Sequence, residues 1–224
     1  MPIGLVKSSL LAAIKKGIQG ILVGPTQIIT STAATATAYP NQRKIDRTSN
    51  GVLWTLHYGA MAAKVIGGVE NNSTLRLMYS TDDGATWSSG DYVYFGDSGS
   101  AQNYSPNASM FIDQDDYIHV VVKSHVTGYI KYVRGTPNAG RTAWTWSAAY
   151  QLAYANTIQD YPDIVAHREG TGWVAHTVVS YYNSGSAYNL VYYNSITITS
   201  SGTITVGGLR QVPDTNGGNA HAYP

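Results

Sequence analysis

The sequence predicts an all-β protein made of repeated four-stranded antiparallel units, entered through an N-terminal helix and an extended arm. Three observations carry this. A Tyr–Pro marker recurs at Tyr39-Pro40, Tyr104-Ser105-Pro106, Tyr161-Pro162 and Tyr223-Pro224, with copies about 60 residues apart. After each of the first three markers, an apolar run, a polar tip and a second apolar run read as a hairpin. The composition suits strands and tight turns, with 18 Tyr against 2 Phe, 23 Gly and only 12% charged residues.

Residues 1–38 form a separate segment. No acidic residue precedes Asp46, whereas Lys7, Lys15 and Lys16 are basic. Leu10, Leu11, Ile14 and Ile18 share one helical face, which predicts an amphipathic helix from Val6 to Gln19, stopped by Gly20. Lys15-Lys16 would interrupt the apolar core of a signal peptide, and the run is too short to span a membrane. Thr26–Ala38 is rich in Thr, Ala and Ser and reads as an extended arm. The segment is expected to dock the protein onto a partner.

Residues 39–224 divide at the markers into 39–103, 104–160 and 161–222, with a fourth unit beginning at 223. The first hairpin is Arg43–Asp46, a tip at Asn50-Gly51, then Val52–His57. The second is Ala108–Ile112, Asp115-Asp116, then Tyr117–Val122. The third is Ile164–His167, Glu169-Gly170, then Trp173–Val179. Asn-Gly is a strong hairpin-turn signal. Third strands are expected at Leu75–Ser80, Tyr129–Val133 and Asn189–Asn194, and fourth strands at Tyr92–Phe95, Trp146–Leu152 and Thr203–Val212. Four antiparallel strands per repeat of this length describe a β-propeller blade. Three blades fall short of the roughly four to eight of a closed propeller, so more chain is expected after Pro224.

One turn stands out. Ser80-Thr81-Asp82-Asp83-Gly84-Ala85-Thr86-Trp87 follows the pattern S-x-D-x-G-x-T-W. Asp82 is expected to accept N–H groups of its own loop, Gly84 to take a positive φ, and Trp87 to turn inward as an apolar anchor. The second unit keeps Thr145-Trp146-Ser147 after a longer loop, and the third has Gly202-Thr203 in place of the Trp. With Ser80, Asp82, Gly84, Thr86 and Trp87 in this pattern, residues 39–224 resemble the sialidase-like Asp-box (BNR-repeat) propeller family.

That resemblance implies a glycosidase, whose pattern has an Arg-Ile-Pro start, an arginine cluster for a substrate carboxylate, an acidic acid/base and a Tyr–Glu nucleophile pair. This chain has Ala38-Tyr39-Pro40 at the start. Its arginines are Arg43, Arg47, Arg76, Arg134, Arg141, Arg168 and Arg210, without a clamp-like spacing, and Glu70 and Glu169 are its two glutamates. Asp46, Asp113, Asp115, Asp116 and Asp163 could supply a paired-carboxylate site, and a turn role accounts for each more simply. Some propellers of the same broad group resemble polysaccharide lyases, which abstract a proton with His or Tyr. His57 and His176 each follow a Trp by three residues and read as half-buried strand residues. Zero Cys removes disulfides and thiolate metal sites, and Asp113-x-Asp115-Asp116 lacks the Gly and distal Glu of a calcium loop. No metal or cofactor is expected. A net charge of +1 gives no nucleic-acid footprint.

Tyrosine is the resource left. Tyr181, Tyr182 and Tyr188 cluster in the third unit and are candidate glycan-binding residues, because aromatic rings stack on sugar C–H faces. The expectation is a non-enzymatic structural or receptor-recognition protein of a larger assembly, a phage virion fibre or surface protein. It would display a glycan-binding propeller, meet other virion proteins through residues 1–38 and self-associate. Its place would be the virion or an extracellular surface, and its partner a cell-surface glycan. The alternative is a carbohydrate-active enzyme, a sialidase-like glycosidase or a polysaccharide lyase.

Overall fold

The computed structural model describes residues 44–66, 69–93, 104–124, 129–152, 158–183 and 188–212. The expected helix and arm, and the fourth Tyr–Pro marker, lie outside the described residues. The described part is all-β. Blade 1 contains β1 (Ile45–Arg47), β2 (Leu53–Ile66), β3 (Val69–Ser80) and β4 (Ser88–Tyr92), hydrogen-bonded in that order. Blade 2 contains β5 (Tyr104–Ile112), β6 (Ile118–Ser124), β7 (Ile130–Pro137) and β8 (Trp144–Trp146), and β9 (Tyr150–Gln151) also pairs with β7. Blade 3 contains β10 (Ile158–Glu169), β11 (Gly172–Asn183), β12 (Tyr188–Ile198) and β13 (Ile204–Val206), and β14 (Arg210–Gln211) pairs with β12. All neighbouring strands are antiparallel.

The fourth strands differ from the sequence expectation. Thr203–Val212 is two short strands, β13 and β14, and Trp146–Leu152 is likewise broken between β8 and β9. In blade 1 the same place is a register shift between Arg76 and Met78. Each outer strand bulges there, then re-engages its neighbour through one backbone bond. These are Val93 N–H to Leu75 O at 3.0 Å, Leu152 N–H to Ile130 O at 2.8 Å and Val212 N–H to Val191 O at 2.9 Å.

Those three bonds align the blades residue by residue. Leu75, Ile130 and Val191 are equivalent, and so are Leu77, Tyr132 and Tyr193 on the third strand. On the second strand, Leu56, Val121 and Val178 sit opposite them. The register also explains the core. Side chains alternate across a strand, so one parity faces the next blade and the other faces the previous one. Trp54, Leu56, Leu75 and Leu77 of blade 1 meet Ala108, Met110, Ile118, Val120, Val122 and Val133 of blade 2. The other face of blade 2, with Val121, Ile130 and Tyr132, meets Ile164, Ala166, Trp173, Ala175, Ile196 and Ile198 of blade 3. Each fully buried Leu or Ile there stabilises the stack by roughly 1.5–3 kcal/mol.

The turns at one end share a plan. Thr48–Val52, Asp113–Tyr117 and Thr199–Thr203 are five-residue turns closed by the first residue's N–H on the fifth residue's carbonyl, at 3.0, 2.9 and 2.9 Å. The fourth position is left-handed in each, Gly51 at φ 91°, Asp116 at φ 67° and Gly202 at φ 87°. That is the three-residue hairpin loop with a left-handed bulge residue. The first residue is Thr or Asp because its side-chain oxygen also bonds within the turn, as Asp113 Oδ1 does with the N–H groups of Asp115 and Tyr117.

Candidate functional site

The Ser80–Trp87 turn is closed by its own side chains. Asp82 accepts the Thr86 N–H at 2.8 Å and the Thr86 hydroxyl at 2.6 Å, and the Ser80 hydroxyl at 2.7 Å. Ser80 Oγ in turn accepts the Gly84 N–H at 2.8 Å. The Thr86 hydroxyl, then its N–H and Ser80, hold the Asp82 carboxyl down at about 2. Asp83 and Gly84 both have positive φ, 56° and 88°. Trp87 differs from the inward anchor expected. It is half-buried and lies over its own turn, donating Nε1–H to Gly84 O at 3.1 Å. The tryptophans of the main core are Trp54 and Trp144, with ring centroids 5.1 Å apart. Asp82's oxygens are consumed by the turn, so the motif supplies architecture.

Asp113, Asp115 and Asp116 do sit in a turn, as expected, and each also ties other elements together. Asp116 accepts the Ser49 N–H and hydroxyl, both at 2.6 Å, and pairs with Arg141 Nε at 2.9 Å. Asp115 accepts Trp173 Nε1–H at 3.0 Å and pairs with Arg168. Asp113 meets His119 Nε2 at 3.0 Å, and His119 Nδ1 meets the Tyr132 hydroxyl at 2.8 Å. Burial pushes His119 down against the pull of Asp113, so the ring is neutral. Nε2–H then donates to Asp113 and the Tyr132 O–H donates to Nδ1. This chain is fully enclosed and out of a substrate's reach.

Asp163 and Asp46 do not have the turn role expected from sequence. Asp46 lies on β1, where it accepts the Ile112 N–H of blade 2 at 2.9 Å. Asp163 lies on β10, just after a register shift and the left-handed Tyr161 at φ 52°. It accepts the Ser109 hydroxyl of β5. Lys44, immediately before β1, donates to Ala108 O of β5.

These three residues hold the same position in three successive blades. Leu56 N–H bonds Lys44 O at 2.8 Å, Ser109 pairs with Val121, and Asp163 pairs with Val178. Since Leu56, Val121 and Val178 are equivalent, so are Lys44, Ser109 and Asp163. Ser109 and Asp163 lie on the innermost strands β5 and β10 and Lys44 immediately precedes β1, and innermost strands line the centre of a propeller. Burial lowers the Lys44 ammonium to about 8, offset in part by the Asp163 charge. An amine poised there exchanges protons near neutral pH, and a carboxylate and a hydroxyl stand beside it. This is acid–base equipment.

Sequence reading missed this cluster because no local motif contains it. A weak signal exists, since Asp163 follows the Tyr–Pro marker, where a turn is not required. The candidate tyrosines are placed only in part. Tyr181, Tyr182 and Tyr188 are paired with Leu190, Asn189 and Asn183 in the β11–β12 hairpin, and their side chains lie outside the described residues. The register puts that tip at the end of blade 3 where β10 begins, the end nearer Asp163. The two histidines diverge. His57 is 3% exposed and is lowered to about 4 by burial and then by Arg76. His176 is half-buried, with Nδ1 on the Tyr193 hydroxyl at 2.6 Å. Among the described residues no group of three or more metal-ligating side chains could hold an ion.

No protein-family model matches the chain, and no curated protein does. Two solved structures are similar in chain path. One is a GH43 endo-arabinanase from Bacillus licheniformis, at 15% identity and a TM-score of 0.48, covering 87% of this chain and 68% of that one. The other is a native arabinanase of Bacillus subtilis, at 16% identity and a TM-score of 0.43, covering 72% of this chain and 57% of that one. The propeller architecture stands. The expectation of a non-enzymatic receptor-recognition or virion fibre protein is withdrawn: the two similar structures are arabinanases, not proteins of that kind. The inclination against an enzyme is corrected with it. The sequence argument for a passive fold rested on missing Arg and Glu residues, and it overlooked polar groups that only blade stacking brings together.

Proposed function

We propose that the chain is the glycan-cleaving part of a carbohydrate-active enzyme, with Lys44, Ser109 and Asp163 as its acid–base group. The observation that carries this reading is their equivalence. Three non-identical polar residues occupy one equivalent position in three successive blades, with Ser109 bonded to Asp163 and the Asp163 charge acting on Lys44. Elimination is the form of cleavage the residues support better. Hydrolysis needs two carboxyls free to act, one as acid and one as nucleophile or base. Asp46 is committed to Ile112 N–H. Lys44, lowered to about 8, is suited to abstract the proton beside a uronic acid carboxyl. As Lys44 takes the C5 proton, the C4–C5 double bond forms and the C4–O bond breaks, and the Lys44 ammonium returns the proton to the departing oxygen, while Ser109 and Asp163 would hold the site. The Asp-box resemblance and a stacking role for Tyr181, Tyr182 and Tyr188 belong to the same reading.

The test is a panel of neutral and uronic acid polysaccharides, followed by absorbance of unsaturated ends and by reducing ends. Elimination raises both together, and hydrolysis raises reducing ends alone. Lys44→Met is expected to lower turnover at least about 100-fold, within the usual range for an acid–base group. Turnover without any unsaturated product would refute elimination. Unchanged turnover in both Lys44→Met and Asp163→Asn would refute the site.

A further inference from the structure

Among the described residues, four that are not glycine take a positive φ. Asp83, Asp116 and Arg141 do so between strands, whereas Tyr161, at φ 52°, does so inside β10. A bulky side chain is disfavoured in that conformation, and a following proline pushes its neighbour toward extended backbone. Tyr161 precedes Pro162 and stands against both preferences. The strain sits in a bulge. Asp160 pairs with Ser180 and Asp163 with Val178, so β10 carries one residue more than β11 between those pairs. Blade 2 has the same device. Tyr104 pairs with Ser124 and Ala108 with Val122, so β5 carries two extra residues across Tyr104-Ser105-Pro106, and Ser109 follows Ala108. Both Tyr–Pro markers among the described residues therefore coincide with a register shift just ahead of a member of the acid–base group. Proline has no N–H to give to a ladder, and on an inner edge strand it fits at a bulge.

The aim of Asp163 calls for such a device. Side chains alternate along β10, with Ile164 and Ala166 packed in the core shared with blade 2 and Val165 on the opposite face. Asp163 shares the parity of Val165, which turns it away from blade 2. Its carboxylate nevertheless accepts the Ser109 hydroxyl of blade 2. This reversal occurs at the first paired residue after the bulge, where the strand bends. We propose that Tyr161 is a positioning residue: its left-handed conformation, together with Pro162, makes the bulge that turns the Asp163 carboxylate back onto Ser109 and beside Lys44. The backbone conformation does this, and the tyrosine ring is not required for it. The inference rests on the acid–base reading of Lys44, Ser109 and Asp163, and gives the recurring Tyr–Pro marker a role in it.

The test follows the Lys44 ammonium by NMR across a pH series in the substrate-free protein, with turnover measured beside it. Burial lowers that ammonium to about 8 and the Asp163 charge raises it, so a carboxylate moved away lets it fall further. Asp163→Asn sets the full drop. Valine, branched at Cβ, resists a positive φ, so Tyr161→Val is expected to reproduce most of that drop and to lower turnover at least about tenfold, the scale of a misplaced group. Tyr161→Gly takes φ 52° freely and is expected to titrate Lys44 as the wild type does. A merely structural role for Tyr161 would cost stability and leave the Lys44 midpoint where it is. A folded Tyr161→Val that titrates Lys44 like the wild type overturns the inference, as does a Tyr161→Gly that falls to the Asp163→Asn value. If valine unfolds the blade, the glycine variant still decides. Titration needs no substrate, so a midpoint that moves as expected in a protein that cleaves no glycan upholds the positioning and refutes the cleavage reading alone.

Discussion

Asp116 offers the most exacting test of how the blades are tied. It takes a left-handed conformation, φ 67°, at a turn position where two equivalent turns use Gly. Its carboxylate is nearly enclosed and joins the first turn of blade 1, through Ser49, to Arg141 on the outer turn of blade 2. Two opposed effects are therefore present at one residue. The carboxylate stabilises the stack, and the backbone conformation costs about 1 kcal/mol for a side chain bearing a Cβ. Hydrogen bonds to charged groups contribute about 1.5–3 kcal/mol each when both partners are enclosed, and the exposure of Ser49 and the partial exposure of Arg141 reduce their shares. Asp116→Ala loses the carboxylate and keeps the strain, so it should destabilise by about 3 kcal/mol. Asp116→Gly loses both and should sit about 1 kcal/mol above Asp116→Ala. The assay is urea unfolding followed by Trp fluorescence. Acid adds a second signature. Burial works against the Asp116 charge, but Ser49 and then Arg141 outweigh it and hold the carboxyl below its usual range. A depressed carboxyl contributes stability that is full above about pH 4, the unfolded value, and that fades as pH falls through the folded value. The gap between wild type and Asp116→Asn should therefore be constant above pH 5 and shrink below pH 4. Equal stabilities of the Ala and Gly variants would refute the strain argument, and a gap that persists into acid would refute the carboxylate argument.

Other consequences are simpler. His119→Phe strands Asp113 Oδ2 and the Tyr132 hydroxyl in the enclosed space between blades 2 and 3, and should cost about 2–4 kcal/mol in the same unfolding assay. Gly172→Ala puts a Cβ 2.4 Å from Ile198 O, a backbone atom that cannot move aside, and should lower stability by about 1–3 kcal/mol.

The periodic features were legible in sequence. Tyr–Pro spacing and alternating apolar runs determine four strands per repeat, because strand faces and hairpin turns are local properties. The chemistry of the Ser80–Trp87 turn was equally local, with the bonds that join Ser80, Asp82, Gly84, Thr86 and Trp87 all made within eight residues. The breaks in the fourth strands were not legible, since a bulge is set by the neighbouring strand's register. Asp163 and Asp46 look like turn residues in sequence because Asp usually is one. Their actual partners, Ser109 and Ile112, belong to other blades.

The sequence by itself determined the blade, because hydrophobic alternation and turn residues act over a few positions. Only the tertiary structure decided the site. Lys44, Ser109 and Asp163 are separated by more than fifty residues at each step, and nothing local marks them. They converge because equal blades, stacked in register, place equivalent positions of their inner strands around one axis.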